Sequence, residues 1–144
     1  MLDLLLFRIG RERFAADLRT VEEAVDLSDV QLVPGAANAV RGIFSLRGVL
    51  VPLFSPLAVL GVAPMDATTA IVLRDVAGRV ALVVDDVDDV MAVAPSDVRP
   101  LPVADVRDAA VLRGVVRHGA DLVAVIDLEA VVAACRGTQQ PEAA

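Results

Sequence analysis

Apolar residues along the chain run in short, Val-rich blocks, broken by Gly or Pro every 8 to 12 residues or so. That spacing predicts many short strands rather than long helices. The first third reads as strands at Leu4–Ile9, Arg13–Asp17 and Glu23–Leu27, with a turn at Gly10. A hairpin follows, Gly42–Leu46 and Leu50–Phe54, turning at Arg47-Gly48. The remainder repeats this order with strands at Ala70–Val76, Arg79–Val84 and Asp89–Val93, with a turn at Gly78. Its closing hairpin is Val111–Arg117 and Asp121–Ile126, turning at His118-Gly119.

The repetition has a register. An offset of 66 residues lays Leu6-Phe7-Arg8 on Val72-Leu73-Arg74, Phe14 on Val80, Glu23 on Asp89 and Pro34 on Pro100. Beyond Pro100 the offset becomes 72, pairing Arg41-Gly42-Ile43 with Arg113-Gly114-Val115 and Ser55 with Asp127. The chain therefore reads as two copies of one unit, about 4–60 and 70–135, within a single domain. A unit of roughly 60 residues is marginal alone, so the two should pack together. Five short strands per unit suggest a small barrel, which leaves no exposed edge. The expected fold is all-β with short helices: two tandem five-stranded SH3-like β-barrels related by a pseudo-two-fold axis, plus a C-terminal helix.

Each hairpin runs into a helix signal. Asp127 is a good N-cap, Glu129 suits the first turn, Arg136 the last, and Gly137 a stop. Leu128, Val131, Val132 and Cys135 share one helical face, which predicts a docked helix and a core thiol. In the first copy Ser55 caps, Pro56 takes the first helical position and Gly61 ends a short helix after Leu60. The small, polar residues 137–144 read as a frayed tail.

Composition narrows the function. Apolar residues are 56% of the 144, which excludes intrinsic disorder. A net charge of −7 repels polyanions, and with no Trp or Tyr the chain lacks stacking platforms for bases, so nucleic acid is not an expected partner. All 13 basic residues are Arg, which removes lysine Schiff-base and phosphate-loop chemistry. One Cys excludes an internal disulfide and fits a reducing, cytoplasmic setting. No signal peptide is read at the N-terminus. The uncharged stretch Gly48–Met65 contains Pro52, Pro56 and Pro64, so it reads as strand, short helix and loop and not as a membrane span.

Candidate chemistry is sparse. Asp85, Asp86, Asp88 and Asp89 could invite a divalent cation, which makes a metal-dependent enzyme the competing class, but the cluster lacks the Gly and closing Glu of a calcium loop and falls where turns favour Asp. His118 reads as an exposed turn residue, and Ser45 has no nucleophile-elbow context. No catalytic residue, metal site or cofactor is expected. Two features lack an obvious core role. Arg47 stands at a tight hairpin tip, where a side chain is presented at low entropic cost. Glu22 and Glu23 open the third strand of the same copy.

The residues that carry a resemblance are Leu5-Leu6-Phe7-Arg8-Ile9-Gly10, Val21-Glu22-Glu23, Val33-Pro34-Gly35, Arg41 through Pro52, Val83-Val84-Asp85-Asp86-Val87 and Val123 through Leu128. Over nearly its whole length the chain resembles the CheW-like family of coupling proteins. Its most specific motif is Gly42-Ile43-Phe44-Ser45-Leu46-Arg47-Gly48 through Pro52, with Ser45 where the family usually has Asn. Phe54-Ser55-Pro56 replaces the family's usual Val-Asp-Leu and keeps a capping residue. The resemblance implies two five-stranded barrels and no enzymatic activity. It implies a cytoplasmic scaffold, recruited to membrane receptor arrays without inserting into the membrane, that couples the cytoplasmic tip of chemoreceptors to the regulatory domain of the histidine kinase CheA. A coupler for pilus or developmental signalling is the alternative within the family. By position, the protein-binding residues implied are the hairpin-tip Arg47, Glu23 as the acidic residue that can pair with it, Val21 and Gly42, with Glu22 and Ser45 beside them.

Overall fold

The computed structural model describes residues 1–27, 40–75, 78–101 and 110–139. The Pro34 loop, Val76, the insertion after Pro100 and the last residues of the tail lie outside them. The strands are β1 (Leu2–Ile9), β2 (Glu12–Asp17), β3 (Glu23–Asp26), β4 (Val40–Leu46), β5 (Val49–Phe54), β6 (Thr69–Asp75), β7 (Gly78–Val84), β8 (Asp86–Val93), β9 (Leu112–His118) and β10 (Asp121–Ile126). Helix α1 is Leu57–Leu60 and helix α2 is Leu128–Gln139.

The strands form two five-stranded sheets. Sheet I has the order β8-β1-β2-β10-β9, and sheet II the order β3-β6-β7-β5-β4. Moving five strands along the chain turns one order into the other, so the repeat is a real pseudo-two-fold. The register agrees to the residue. Phe7 faces Phe14 as Leu73 faces Val80, and Val125 lies beside Ala15 as Leu53 lies beside Ala81.

The repeats nevertheless do not close as separate barrels over 4–60 and 70–135. Hairpin β1–β2 joins β8–β10, and hairpin β6–β7 joins β3–β5. The reason lies in the side chains. Leu4 and Leu6 belong to one core cluster, whereas Leu5, Phe7 and Ile9 belong to another. In β7, Val80, Leu82 and Val84 face the cluster opposite to that of Ala81 and Val83. A strand with one wet face alternates polar and apolar residues; these runs do not, because both faces are buried. Each such hairpin is covered on both sides when it lines one sheet and backs onto the other.

Three layers of core result. Sheet II encloses Phe44, Leu46, Val51, Leu53, Val72 and Val83. Sheet I encloses Leu4, Leu6, Val116, Val123 and Val125. Between the sheets lies the largest cluster, where Phe7 and Phe14 stack with ring centroids 6.0 Å apart. Burying one such large side chain is worth about 1.5–3 kcal/mol, so this shared layer binds the halves into one unit. Helix α2 seals it with Leu128, Val131, Val132 and Cys135, the stripe read from the sequence. The Asp127 carboxylate accepts the Ala130 N–H at 3.1 Å, as an N-cap should. The helix runs on through Gly137 to Gln139, so Gly137 is not its stop.

Chain crossings between sheets are held locally. A 3-10 turn at Leu18–Thr20, capped by Asp17, carries the chain from β2 to β3. In the second copy a single residue, Asp85, joins β7 to β8. Asp85 is buried, and its carboxylate accepts the backbone N–H groups of Gly10, Met65 (3.0 Å), Asp66 (2.6 Å) and Ala67 (2.9 Å). It ties the β1–β2 turn and the segment between the repeats to one point. Burial alone would raise its pKa, but these N–H donors outweigh that and hold it below the usual carboxylate value.

Candidate coupling surface

The β4–β5 hairpin presents the first candidate. Leu46 pairs with Val49, leaving Arg47-Gly48 as a two-residue turn. Both residues have positive φ, +49° and +83°, the geometry whose twist matches that of the strands. A non-glycine residue in this region costs roughly 1–2 kcal/mol. A Cβ on Gly48 would meet nothing within 4 Å, so only its backbone conformation demands glycine.

Arg47 reaches across to Glu23. Its Nη1 donates to Oε2 at 3.3 Å and its Nη2 to Oε1, a two-point grip. The Glu23 carboxylate raises the Arg47 pKa above its ordinary value. Strands β3 and β4 are the two ends of sheet II. In a flat sheet they would stand about 19 Å apart, four strand spacings of ~4.8 Å. An ion pair between β3 and the β4–β5 tip therefore requires sheet II to curl on itself.

The other candidate residues lie further along β4 and around the start of β3. Ser45 is exposed and sits opposite Leu50 in register, so the two share the outer face of the hairpin. Leu50 on that face is 70% exposed, while Val49, 47% exposed, pairs with the buried Leu46 on the other face. Gly42 is buried, next to a shift of register between β4 and β5. Val21 is half-buried against the central core and donates its N–H to Leu18 at 3.1 Å. Glu22 is held by two other arginines. Its Oε1 accepts from Arg79 Nε at 3.1 Å and Arg74 Nη2 at 3.2 Å. Desolvation raises the Glu22 pKa, but the two guanidiniums outweigh it and the net shift is downward.

The turn of the second hairpin is Gly119-Ala120, one residue later than expected. His118 is the last residue of β9, paired with Asp121 and half-buried. The acidic run begins at the bend between β7 and β8 and continues into the strand. Asp85 points inward to backbone donors, and Asp86, Asp88 and Asp89 lie within β8. Among the described residues no group of three or more His, Cys, Asp or Glu side chains is placed to hold a metal ion. The apolar Leu50 and the arginines that hold Glu22 escaped the sequence reading. Arg74 and Arg79 flanking Gly78 were a signal, since a hairpin there sets them side by side.

The pseudo-two-fold supplies an internal control. The positions matching Arg47 and Glu23 are Gly119 and Asp89. Gly119 offers no side chain, and Asp89 Oδ1 accepts from its neighbour Val90 N at 2.8 Å. Two sheets of one design thus differ at this rim, and among the described residues sheet II alone carries the charged clasp.

No helix among the described residues is long and apolar enough to cross a membrane. The profile of the CheW-like domain matches residues 3–136. The chain is 29% identical to the chemotaxis protein CheW of Rhizobium meliloti over 133 residues, covering 90% of this chain and 86% of that protein. It is 30% identical to chemotaxis protein CheW of Klebsiella aerogenes, covering 88% and 79%. Its fold is similar to the crystal structure of the scaffolding protein TtCheW from Thermoanaerobacter tengcongensis, with a TM-score of 0.80 at 20% identity, covering 90% and 86%. With a family profile spanning nearly all of its length, the chain belongs to the CheW-like domain family.

Proposed function

We propose that this protein is a non-enzymatic coupling scaffold of chemotaxis signalling, holding the cytoplasmic tip of chemoreceptors against the regulatory domain of the histidine kinase CheA. It works in the cytoplasm, beneath the receptors. Membership of the CheW-like family supports the class of function. The observation that carries the site is the asymmetry between the sheets. Sheet II spends a strained turn and a two-point ion pair on a surface where sheet I has Gly119 and a locally satisfied Asp89. An exposed ion pair adds only about 0–1 kcal/mol to folding. Stability is therefore a poor reason to keep it, and partner contact a good one.

The coupling surface is Arg47 and Glu23 with Ser45 beside them, Val21 and Gly42 shaping the backbone, and Glu22 holding the start of β3. A coupler transmits a signal only through contacts that differ between partner states, and a clasp that can be exchanged for a partner's charge provides one. The deciding experiment mixes the full chain with the receptor tip and the kinase from the same genome and measures complex formation and kinase output. A stable three-component assembly that controls autophosphorylation supports the reading. Absence of binding to both partners ends it.

A further inference from the structure

Arg74 and Arg79 stand directly opposite each other in the β6–β7 pair. Like charges facing across strands repel. The Glu22 carboxylate relieves this by lying across both, with Arg79 Nε and Nη2 each at 3.1 Å and Arg74 Nη2 at 3.2 Å. Glu22 is also fixed by its main chain, since its N–H donates to the Val72 carbonyl at 2.8 Å. The next residue is Glu23, level with Val72 in the ladder. Strand β3 is short, Glu23–Asp26, and among the described residues it pairs with β6 alone. Such a short edge strand is free to fray at its start unless something holds it there. The ends of two hairpins are thus linked through two consecutive glutamates: β6–β7 through Glu22, and the β4–β5 tip through Glu23.

We propose that Arg79, assisted by Arg74, is a positioning residue that acts through Glu22 to hold Glu23 in place for Arg47, so that coupling depends on the β6–β7 hairpin as well as on the contact surface. This rests on the coupling role argued above. Arg79 suits the task better than Arg74: its side chain is 25% exposed against 63%, so its geometry is the more constrained.

The test has two arms. The first needs no partner. Nuclear magnetic resonance on the full chain reads the rotation of the Arg47 guanidinium about its Nε–Cζ bond, and amide exchange in β3. Arg79→Ala should speed both several-fold and leave β1–β2 amides unchanged, and Arg79→Lys should restore only part because it lacks the planar fork. An Arg47 guanidinium as slow in Arg79→Ala as in the parent would overturn the proposal. The second arm is a double-mutant cycle for binding the receptor tip from the same genome. Arg79→Ala should weaken binding about fivefold in the parent and add nothing in an Arg47→Ala background. Equal losses in both backgrounds would show that Arg79 acts independently of the clasp, which contradicts the proposal. If Arg47→Ala alone leaves binding intact, the coupling reading fails, while the guanidinium rotation still decides whether Arg79 positions Glu23.

Discussion

Arg47 and Glu23 sit at opposite ends of the strand order of sheet II, yet the guanidinium grips the carboxylate with two nitrogens. The pair marks the seam where the curled sheet meets itself. Its Arg is 62% exposed and its Glu 27%, so water and a partner can both compete for it. A seam clasp of this kind separates two roles under mutation.

Arg47→Glu should leave the melting temperature within a few degrees, because an exposed pair contributes roughly 1 kcal/mol or less. The same change should weaken coupling at least tenfold, about 1.4 kcal/mol, since an interface Arg must have its donors satisfied once covered. Adding Glu23→Arg should recover part of the loss. Thermal denaturation and a binding titration check this. A variant that fails to fold would make Arg47 structural, and unchanged assembly would make it a bystander.

This pair was partly legible in the sequence. Arg47-Gly48 between two apolar blocks announces a hairpin tip, and the registers at 66 and 72 put Gly119 and Asp89 in the matching places. The contact with Glu23 was expected only through the family resemblance, because no local rule joins residues 24 positions apart. The exchange of hairpins between sheets was equally hidden. Periodicity reports which faces are buried and not which sheet buries them, so Leu4–Ile9 reads the same in either topology. The helix past Gly137 was missed for a local reason: glycine lowers helix propensity by about 1 kcal/mol without forbidding helix, and a docked helix overrides that.

Asp85 should prove the most sensitive polar residue. Asp85→Asn keeps the shape but turns an amide toward N–H donors, leaving some of Gly10, Met65, Asp66 and Ala67 unsatisfied. A loss of about 2–4 kcal/mol is expected, roughly 5–12 °C in melting temperature. The pH dependence has a definite sign. The folded carboxyl has a pKa below its ordinary 3.8, so as pH falls the unfolded chain takes up the proton first. Asp85 therefore stabilises above that value, and its contribution is lost as pH drops through the depressed folded pKa. Asp85→Asn should flatten this acid limb. Equal acid sensitivity in parent and variant would show that the carboxylate is not the group responsible.

Cys135 sets the alkaline limb. It is fully buried, its Sγ lies 3.6 Å from the Ser55 carbonyl, and burial pushes its pKa up to about 11 from 9.0. The unfolded thiol ionises first as pH rises, so stability falls between about 9 and 11, by roughly 2–3 kcal/mol in total. Cys135→Ala should remove that slope. A thiol reagent at pH 8 should react slowly with native protein and at once in denaturant. Immediate stoichiometric labelling of the native state would mean that α2 does not stay docked.

The exchange of hairpins makes the sharpest prediction about folding. Residues 1–61 contain β1–β5, but β1 and β2 pair with β8 and β10, while β3 pairs with β6 and β5 with β7. Cutting the chain after Gly61 leaves each half with its inter-half strand pairs gone and the shared core layer exposed. Neither half should fold as a monomer. Chains of about 60 residues are marginal even with an intact core, and here the largest cluster draws on both halves. Mixing the fragments 1–61 and 62–144 should restore the circular dichroism and amide protection of the intact chain, because every pairing partner is then present. Self-pairing of one half is the natural competitor, since the halves are pseudo-equivalent, and it would appear as a concentration-dependent dimer in sedimentation. A monomeric 1–61 fragment with a cooperative thermal transition would show that the repeats can close on themselves, and the exchanged topology would then not be what holds the fold together.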